Sequence, residues 1–311
     1  MIVALAGGVG GAKLARGLAK IPGADLSVIV NTGDDFDHFG LRICPDIDTV
    51  TYTLAGKANP VTGWGLEGDT WNFMAQVSAL GGEDWFQLGD RDLAVHVLRT
   101  QLLRRGETLT EVTRKIAAQL GVEAAVLPMS DAPVRTRVET AAGVLDFQDY
   151  FVRRRCDIAV TGLRFDGAVQ AGPTAPVVHA LDAAHMIVFC PSNPFVSIDP
   201  ILAVAGIRDR LAATGVPRVA VSPIIAGKAV KGPAAKMMAE LGYQVSSLTV
   251  ARKYRGLIDG MVIDVADAGL ADEIEALGIA VKTTRTLMLT PEDSAALAFE
   301  TTAFARQIGG R

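Results

Sequence analysis

The hydrophobic positions at the start of the chain predict a strand, a helix and a second strand. Residues 1–8, MIVALAGG, form an apolar run that ends in glycine. Residues 12–21, AKLARGLAKI, have apolar side chains at helical spacing, and residues 26–30, LSVIV, form a second apolar run. Short apolar runs bounded by turn residues are typical of strands buried on both faces. The pattern therefore predicts a β–loop–α–β opening, as in a doubly wound parallel sheet.

Helical patterns dominate the middle of the chain, and strand patterns return after it. Residues 108–121, TLTEVTRKIAAQLG, place apolar side chains on one helix face and end in Gly121, which predicts a helix C-cap. The closing segment from Pro291 predicts a long final helix. Strand-like runs occur between these helices at EAAVLPM (123–129), VRTRVET (134–140), DIAVTGL (157–163), HMIVFCPSN (185–193), RVAVSPI (218–224), MVIDVAD (261–267) and IAVKTTRTLML (279–289). Helical segments separate DIAVTGL, HMIVFCPSN and RVAVSPI, so we expect these three to join the parallel sheet.

These elements predict an α/β fold with a Rossmann-like, doubly wound, mostly parallel sheet. A largely helical insertion forms a lid over the substrate cleft. We expect residues 1–50 and 151–311 to form the nucleotide-binding core and residues 51–150 to form the insertion. No proline-rich or charged linker marks these limits, so the boundaries are soft.

Composition narrows the function classes. Half of the 311 residues are hydrophobic, which allows a sizeable core. The net charge of −4 gives no general attraction to nucleic acid or to an anionic membrane. The three cysteines are far apart and form no CxxC pair, which favours a reducing cytoplasm over a disulfide or zinc framework. We see no signal peptide and no apolar run of membrane-spanning length, so we expect no membrane partner.

Five aspartates crowd the segment after the second strand, NTGDDFDHFGLRICPDIDT (31–49). Such carboxylates lie at the ligand edge of an open α/β sheet. Their mutual repulsion would be relieved by Mg²⁺, which binds one or two carboxylates together with substrate phosphates. The alternative is that some of these aspartates cap helices or turns, and Asp48 is a reasonable candidate for a helix N-cap. For His38, the alternative to a ligand is an ordinary polar residue. We expect two of the five to contact metal or substrate.

Glycine-rich segments predict contacts with phosphate. GGVGGAK (7–13) stands between the first strand and the first helix, where backbone N–H groups and the helix N-terminus favour anions. It is neither a P-loop nor a full GxGxxG motif, because Lys13 fills the third glycine position. The alternative is a tight turn without a ligand.

Two later loops repeat this chemistry. PSNP (191–194) offers a hydroxyl and an amide at a strand end, and SPIIAGKAVKGPAAKMM (222–238) offers Lys228 and Lys231 before a helix. A proline-bracketed turn and solvated lysines are the respective alternatives.

The predicted insertion carries further candidates. In WFQLGDRDLAVH (85–96), a helix from Asp90 would place Asp92 and His96 on one face, as part of a site wall or as a surface ion pair. Arg91 would then be available to a phosphate. The three tryptophans of the insertion could stack on a planar heterocycle, although core packing is the default for any one of them.

The motifs together resemble the 2-phospho-L-lactate transferase family of coenzyme F-420 biosynthesis. The resemblance covers nearly the whole chain, in nine segments that occur in the family's order: GGVGGAKLARGL, VNTGDDFDHFGLRICPDIDTVTYTLAG, GWGLEGDTW, WFQLGDRDLAVH, LPMSDAPVRTRV, FQDYFV, PSNPFVSIDPILAV, VSPIIAGKAVKGPAAKMM and TLML.

This resemblance implies a reaction and a distribution of roles. A three-carbon acid linked to guanosine diphosphate would be the donor, the ribityl hydroxyl of a deazariboflavin would be the acceptor, and GMP would leave. The resemblance also implies a Mg²⁺ cofactor, small-molecule partners and a homodimer. The residues it assigns are Asp35 and Asp48 for catalysis and metal, Asp34 and Asp46 as second choices for metal, Gly10, Gly11, Lys13, Ser192, Asn193, Lys228 and Lys231 for the nucleotide, and Trp85, Leu88, Asp90, Arg91 and Met129 for the deazaflavin.

Two positions depart from the family pattern, and two other functions stay open. Ala226 and Asp199 stand where glycine is expected, which bears on donor fit more than on reaction type. A nucleotide-sugar-binding regulator would keep the phosphate loops without a deazaflavin pocket. A nicotinamide-dependent oxidoreductase would use Asp34 or Asp35 to hold a ribose, but the incomplete glycine motif argues against it.

Overall fold

The computed structural model describes residues 1–310 of the chain. Its strands are β1 (Ile2–Ala6), β2 (Leu26–Val30), β3 (Phe36–His38), β4 (Leu41–Ile43), β5 (Ala125–Pro128), β6 (Arg135–Thr140), β7 (Gly143–Asp146), β8 (Val160–Asp166), β9 (Met186–Phe189), β10 (Arg218–Val221), β11 (Ile224–Ile225), β12 (Lys228–Ala229), β13 (Gly260–Asp264) and β14 (Ala280–Thr284). Its α-helices are α1 (Gly8–Leu18), α2 (Pro45–Leu54), α3 (Asn72–Ala79), α4 (Asp90–Arg104), α5 (Leu109–Gln119), α6 (Ala175–Asp182), α7 (Asp199–Ala203), α8 (Ile207–Ala213), α9 (Ala234–Glu240), α10 (Ser247–Tyr254), α11 (Ala271–Glu275) and α12 (Pro291–Gly309).

The central sheet has seven strands in the order β14-β13-β10-β9-β1-β2-β5. Every neighbouring pair is parallel. Strand order runs outward in both directions from β1 and β9, so the topological switch point lies between these two strands. Open α/β sheets bind ligands at that point, outside the carboxyl ends of the strands. The predicted α/β class with a mostly parallel sheet is confirmed.

Side chains of the central strands alternate between two cores, as the period of a strand requires. Val3 and Leu5 of β1 pack into one core, and Ala4 and Ala6 pack into the other. Helix α1 packs against α2 and α12 on the second face. Because both faces are covered by helices, β1 is apolar at every position and β2 at every position except Ser27, and such runs can be recognised in the sequence.

One predicted strand lies in a different sheet. The run DIAVTGL was expected in the parallel sheet, but β8, which contains its second half, pairs antiparallel with β6. Together with β7 these strands form a separate three-stranded sheet in the order β7-β6-β8. The prediction was wrong because β8 has one buried residue, Val160, whereas β1, β2, β9 and β13 of the central sheet are buried throughout.

The segment predicted as an insertion contributes to several parts of the fold. It supplies α3, α4 and α5, and it also supplies β5 at the edge of the central sheet and the β6–β7 hairpin. A capping box between Thr108 and Glu111 starts α5, and Gly121 follows its end with a positive φ of 80°. The domain limits at residues 50 and 150 stay a prediction. In residues 1–310, no helix is long and apolar enough to cross a membrane.

Candidate functional site

A cleft of about 610 Å³ opens at the switch point of the sheet. It is lined by the loops that follow β1, β2, β9 and β10, and by α2, α4 and the segment after β7. The predicted site residues that line it are Gly10, Lys13, Asp34, Asp46, Asp48, Trp85, Ser192, Asn193 and Lys231. The carboxyl ends of neighbouring parallel strands thus bring residues from distant parts of the sequence into one cleft.

The glycine-rich segment forms the first turns of α1 rather than a loop before it. The helix begins at Gly8, and a Cβ atom at Gly10 would lie 2.4 Å from the carbonyl oxygen of Pro191. A Cβ atom at Gly11 would lie 2.4 Å from Ser192 Oγ, and Gly11 itself is buried. These glycines therefore let α1 approach the loop after β9 closely. Ser192 completes the junction, because its hydroxyl accepts from Gly7 N (3.1 Å) and donates to Gly7 O (2.8 Å).

Asp34 and Asp46 form a pair of buried acids beside this helix start. Asp46, in the first turn of α2, accepts hydrogen bonds from Gly8 N (2.7 Å) and Asn31 Nδ2 (2.9 Å). Burial raises the pKa of Asp46 to about 6, although both hydrogen bonds oppose the rise. Burial and the charge of Asp46 raise the pKa of Asp34 well above its usual range. Asp34 Oδ1 has no hydrogen-bond partner in residues 1–310.

Asp48 lies in a buried network with α4. Both of its carboxylate oxygens accept from the Arg99 guanidinium, one of them at 3.1 Å, and His96 Nδ1 lies 3.6 Å away. His96 Nε2 is 3.3 Å from Asp92, which also accepts a hydrogen bond of 2.5 Å from the Tyr52 hydroxyl. Burial opposes ionisation of Asp92, but His96, Tyr52 and Arg99 together lower its pKa. Asp48 is not the N-cap of α2, because the helix begins at Pro45.

Two groups of side chains offer ligand atoms for a divalent cation. Asp48, Asp92 and His96 can each offer one atom within 4.8 Å of the others, but the Arg99 guanidinium already neutralises Asp48. Asp34 and Asp46 line the cleft and have no arginine partner in the described chain, and the charge of Asp46 adds to burial in raising the pKa of Asp34. Two oxygen ligands with room for substrate phosphates are the donor set that Mg²⁺ prefers. The Asp34–Asp46 pair therefore fits this cation better.

Asp35 lies behind the cleft rather than in it. Its side chain lines a neighbouring cavity, and its Oδ1 has no hydrogen-bond partner in the part of the chain described. Burial raises the pKa of Asp35 to about 7, against the opposing effects of Cys44 and of three arginines.

Cationic groups gather at the end of the cleft near α1. Lys13 Nζ donates to Met288 O (2.8 Å), and Lys231 Nζ donates to Thr62 O (2.6 Å). Burial, followed by the charge of Lys231, lowers the pKa of Lys13. Burial also lowers the pKa of Lys231. Two partly buried ammonium groups that repel each other are a suitable site for a phosphate group.

Another part of the cleft wall is aromatic. Trp85, Phe86, Phe147 and Phe151 line it, and the rings of Phe147 and Phe151 stack with centroids 5.3 Å apart. Trp85 and Phe86 also pack edge-to-face at 5.7 Å. Walls of this kind suit a planar, largely apolar ring system.

Several predicted residues lie outside the cleft. Leu88 and Met129 are buried in hydrophobic clusters. Asp90 caps the start of α3 by accepting from the backbone N–H groups of Asn72 (3.1 Å) and Phe73 (2.9 Å). Arg91 donates to a backbone carbonyl at 3.0 Å, and Lys228 is exposed on β12. Their assigned roles, like that of Gly11, stay predictions that the lining of the cleft does not support.

Other residues in and around the cleft were not predicted from the sequence. Phe147, Gln148 and Phe151 line the cleft and lie in FQDYFV, and Asn31 donates to Asp46 at 2.9 Å, yet none of the four was singled out. Arg99 has no local signal, because its partner Asp48 is 51 positions away in the sequence. The spacing of Asp92 and His96 did indicate their shared face, which the structure confirms as buried in the cleft wall.

The two departures from the expected glycines have different outcomes. Ala226 has a φ of 48°, in the left-handed region that favours glycine, so the backbone keeps the conformation that glycine would adopt. Asp199 begins α7 and pairs with Lys253 at 2.6 Å.

Comparisons with known proteins agree with the architecture and the motifs. The chain is 43% identical over 314 residues to a phosphoenolpyruvate transferase of Streptomyces griseus, with 99% of each chain covered. It is 40% identical over 298 residues to a 2-phospho-L-lactate transferase of Methanosarcina acetivorans, with 96% of each covered. A crystal structure of a UPF0052-family protein from Bacillus halodurans shares the fold, with a TM-score of 0.62 at 15% identity, covering 96% of this chain and 98% of that one. The model of the 2-phospho-L-lactate transferase CofD family matches residues 2–287, and the chain therefore belongs to this transferase family.

Proposed function

We propose that the protein transfers a phosphorylated three-carbon acid from its guanosine diphosphate-linked form to a deazariboflavin in coenzyme F-420 biosynthesis. The acceptor is the terminal ribityl hydroxyl of 7,8-didemethyl-8-hydroxy-5-deazariboflavin, and GMP is released. The acid is 2-phospho-L-lactate or phosphoenolpyruvate, the acids in the names of the relatives. Both acids carry a carboxylate on the carbon that bears the phosphate.

The observation that carries this proposal is the order of groups along one cleft. Lys231 and Val9 of α1 both border Gly63, and Gly8 N of α1 donates to Asp46 at 2.7 Å. The backbone oxygen of Asp34 accepts from Gln148 Nε2 at 3.2 Å, and Gln148 follows Phe147 of the aromatic wall. Lysine, buried acids and aromatic rings therefore follow one another along the lining of the cleft. A nucleotide diphosphate bound at the lysines and a planar heterocycle bound at the rings would meet beside the acids. This arrangement supports a transfer between two large substrates, because it brings both reacting groups to one place.

Each part of the cleft has a task in the proposed reaction. Lys13 and Lys231 bind the diphosphate, together with backbone N–H groups at the start of α1. Trp85, Phe147 and Phe151 hold the deazaflavin ring and exclude water from it. Asp34 and Asp46 would hold Mg²⁺, which would neutralise charge that develops on the transferred phosphate.

The hydroxyl oxygen of the acceptor forms a new bond to the phosphorus that bears the acid. The bond from that phosphorus to the oxygen bridging it to GMP breaks, and GMP leaves with the bridging oxygen. The acceptor hydroxyl loses its proton to a carboxylate of the acidic segment. Asp48 is a candidate base that Arg99 holds in a fixed position at the cleft wall.

The direct test supplies the protein with the deazariboflavin, Mg²⁺ and each candidate guanylylated acid, and identifies the product by mass spectrometry. We expect a phosphodiester whose mass equals acceptor plus phosphorylated acid minus water, with one equivalent of GMP. The absence of product with every candidate acid would contradict the proposal. Binding of a nucleotide-sugar without quenching of deazariboflavin fluorescence would instead favour a regulator, and binding of reduced nicotinamide would favour an oxidoreductase.

A cytoplasmic homodimer that binds neither nucleic acid nor membrane is part of the proposal. The modest net charge supports the absence of nucleic-acid binding. Sedimentation of the purified protein would measure the oligomeric state.

A further inference from the structure

A second cavity of about 550 Å³ adjoins the substrate cleft. The two spaces share four lining residues, which are Asp34, Trp85, Phe147 and Gln148. Strands β6 and β7 and the segment 149–154 form much of its remaining wall. A group attached to a phosphate beside Asp34 would therefore have this side cavity within reach.

Most arginines in the wall of the side cavity are already paired with acids. Arg137 bonds to Asp166 at 3.0 Å and also contacts Asp146. Arg154 donates to Asp149 at 2.8 Å. The remaining two arginines of the wall are Arg153, which pairs with Glu83, and Arg135.

Arg135 is the exception in this wall. Within residues 1–310 it has no carboxylate within 4.0 Å, and its Nη1 donates to the carbonyl oxygen of Val134 at 2.9 Å. It is half-buried, and it lies close enough to Arg42, Asp35 and Asp37 for their charges to act on it. A partly buried guanidinium without an ion-pair partner is costly, and it is a ready site for a planar carboxylate, which it can bind in bidentate fashion.

We propose that Arg135 binds the carboxylate of the three-carbon acid, so that the side cavity selects donors that carry an acid group. This inference rests on the proposed function, in which the donor carries a carboxylate next to its phosphate. The two lysines that are proposed to bind the diphosphate, Lys13 and Lys231, do not line the side cavity. Among the described residues of the side-cavity wall, Arg135 is the arginine that forms no ion pair with an acid of the chain.

The test compares two donors that differ only at the carboxylate. One is guanosine diphosphate linked to lactate, and the other is the isopropyl ester of guanosine diphosphate, in which a methyl group replaces the carboxylate. The kcat/KM of each donor is measured with deazariboflavin and Mg²⁺, and the ratio of acid to isopropyl donor is the readout. Arg135→Gln should lower this ratio by about 10- to 100-fold, which is the range for loss of a hydrogen bond between charged groups.

Two further variants make the result specific. Arg137→Gln alters an arginine of the same wall that is already paired, so the ratio should stay at the wild-type value. Arg135→Lys keeps the positive charge but lacks the planar guanidinium that binds a carboxylate in bidentate fashion, so its ratio should lie between those of Arg135→Gln and the wild type. Circular dichroism and thermal unfolding establish that each variant is folded.

The outcomes separate this inference from the proposed function. A wild-type enzyme that uses both donors equally would overturn the carboxylate site while leaving the transferase function intact, and this holds even if Arg135→Gln does not fold. An unchanged ratio in Arg135→Gln, or an equal loss in Arg137→Gln, would also overturn it. If the wild-type protein transfers neither group, the proposed function itself fails.

Discussion

Replacing Arg99 by methionine should strongly destabilise the fold, because it leaves the Asp48 carboxylate buried without a partner. The two side chains are 1% and 8% exposed, and the guanidinium contacts both carboxylate oxygens. Removing one partner of a buried ion pair typically costs about 3–5 kcal/mol, because the other charge stays desolvated. Methionine keeps most of the apolar volume, so the loss of charge is the main perturbation. We therefore expect the free energy of unfolding to fall by about 3–5 kcal/mol.

An exposed pair of the same chemistry is the matched control. Arg210 and Asp182 lie 2.8 Å apart with side chains 42% and 57% exposed. Arg210→Met should lower the free energy of unfolding by only about 0–1 kcal/mol, since water screens such pairs. Urea-induced unfolding, followed by circular dichroism in magnesium-free buffer, measures both variants under one set of conditions.

A double variant tests the mechanism itself. If the cost arises from the unpaired carboxylate, Asp48→Asn in the Arg99→Met background should make the combined loss smaller than the sum of the single losses. The difference should be about 0.5–3 kcal/mol, the range for residues in one network. Additive single losses, or an Arg99→Met cost no greater than that of Arg210→Met, would refute the reasoning.

Three further predictions concern the cleft. Because burial raises the folded-state pKa of Asp46 to about 6, above its unfolded value, stability without Mg²⁺ should fall as the pH rises from about 4 to 6. Added Mg²⁺ should restore stability at pH 7.5, which thermal unfolding would measure. Asp34→Asn should abolish this gain in stability. A stabilising effect of Mg²⁺ that survives in this variant would exclude Asp34 as a ligand. Gly10→Ala should destabilise the protein by at least about 1–3 kcal/mol, because the Cβ of the new alanine would lie 2.4 Å from a backbone carbonyl oxygen. Gly172→Ala is the control, because a Cβ atom at that position would have no neighbouring atom within 4 Å, and it should leave the free energy of unfolding in urea nearly unchanged. Trp85→Ala should weaken deazariboflavin binding, measured by fluorescence titration, by more than it weakens GDP binding, and the reverse order would remove this residue from the acceptor end.

The central sheet was predictable because its signal is local. Strand β1 is apolar at every position and β2 at every position except Ser27, and the glycines after β1 end the first run clearly. Strand β8 was misplaced because nothing local says which sheet a strand joins. Its antiparallel partner β6 is chosen by the hairpin β6–β7 and by a half-exposed surface that only the assembled fold defines.

Site residues were predictable where their chemistry is concentrated, and not where it depends on a distant partner. The crowded aspartates directed attention to residues 31–49, and four of them are buried at or beside the cleft. Their individual states could not be read from the sequence. Asp48 is neutralised by Arg99 from another helix, and Asp37 is neutralised by Arg42 at 2.8 Å on the neighbouring strand.

Crowding of the aspartates is tolerable because the fold treats each of them differently. Asp46 lies in the first turn of α2 and accepts the N–H of Gly8 from the start of α1, so two helix N-termini favour its charge. Asp34 has neither an arginine nor a helix N-terminus, and one of its oxygens is buried without a hydrogen bond in the described residues. A buried carboxylate in that state is costly unless it binds a proton or a cation. Because this acid faces the cleft beside Asp46, a divalent cation brought with the substrate phosphates would meet its unsatisfied charge there. On this reasoning, magnesium dependence and binding of the donor should be linked, and each should weaken when Asp34 alone is neutralised.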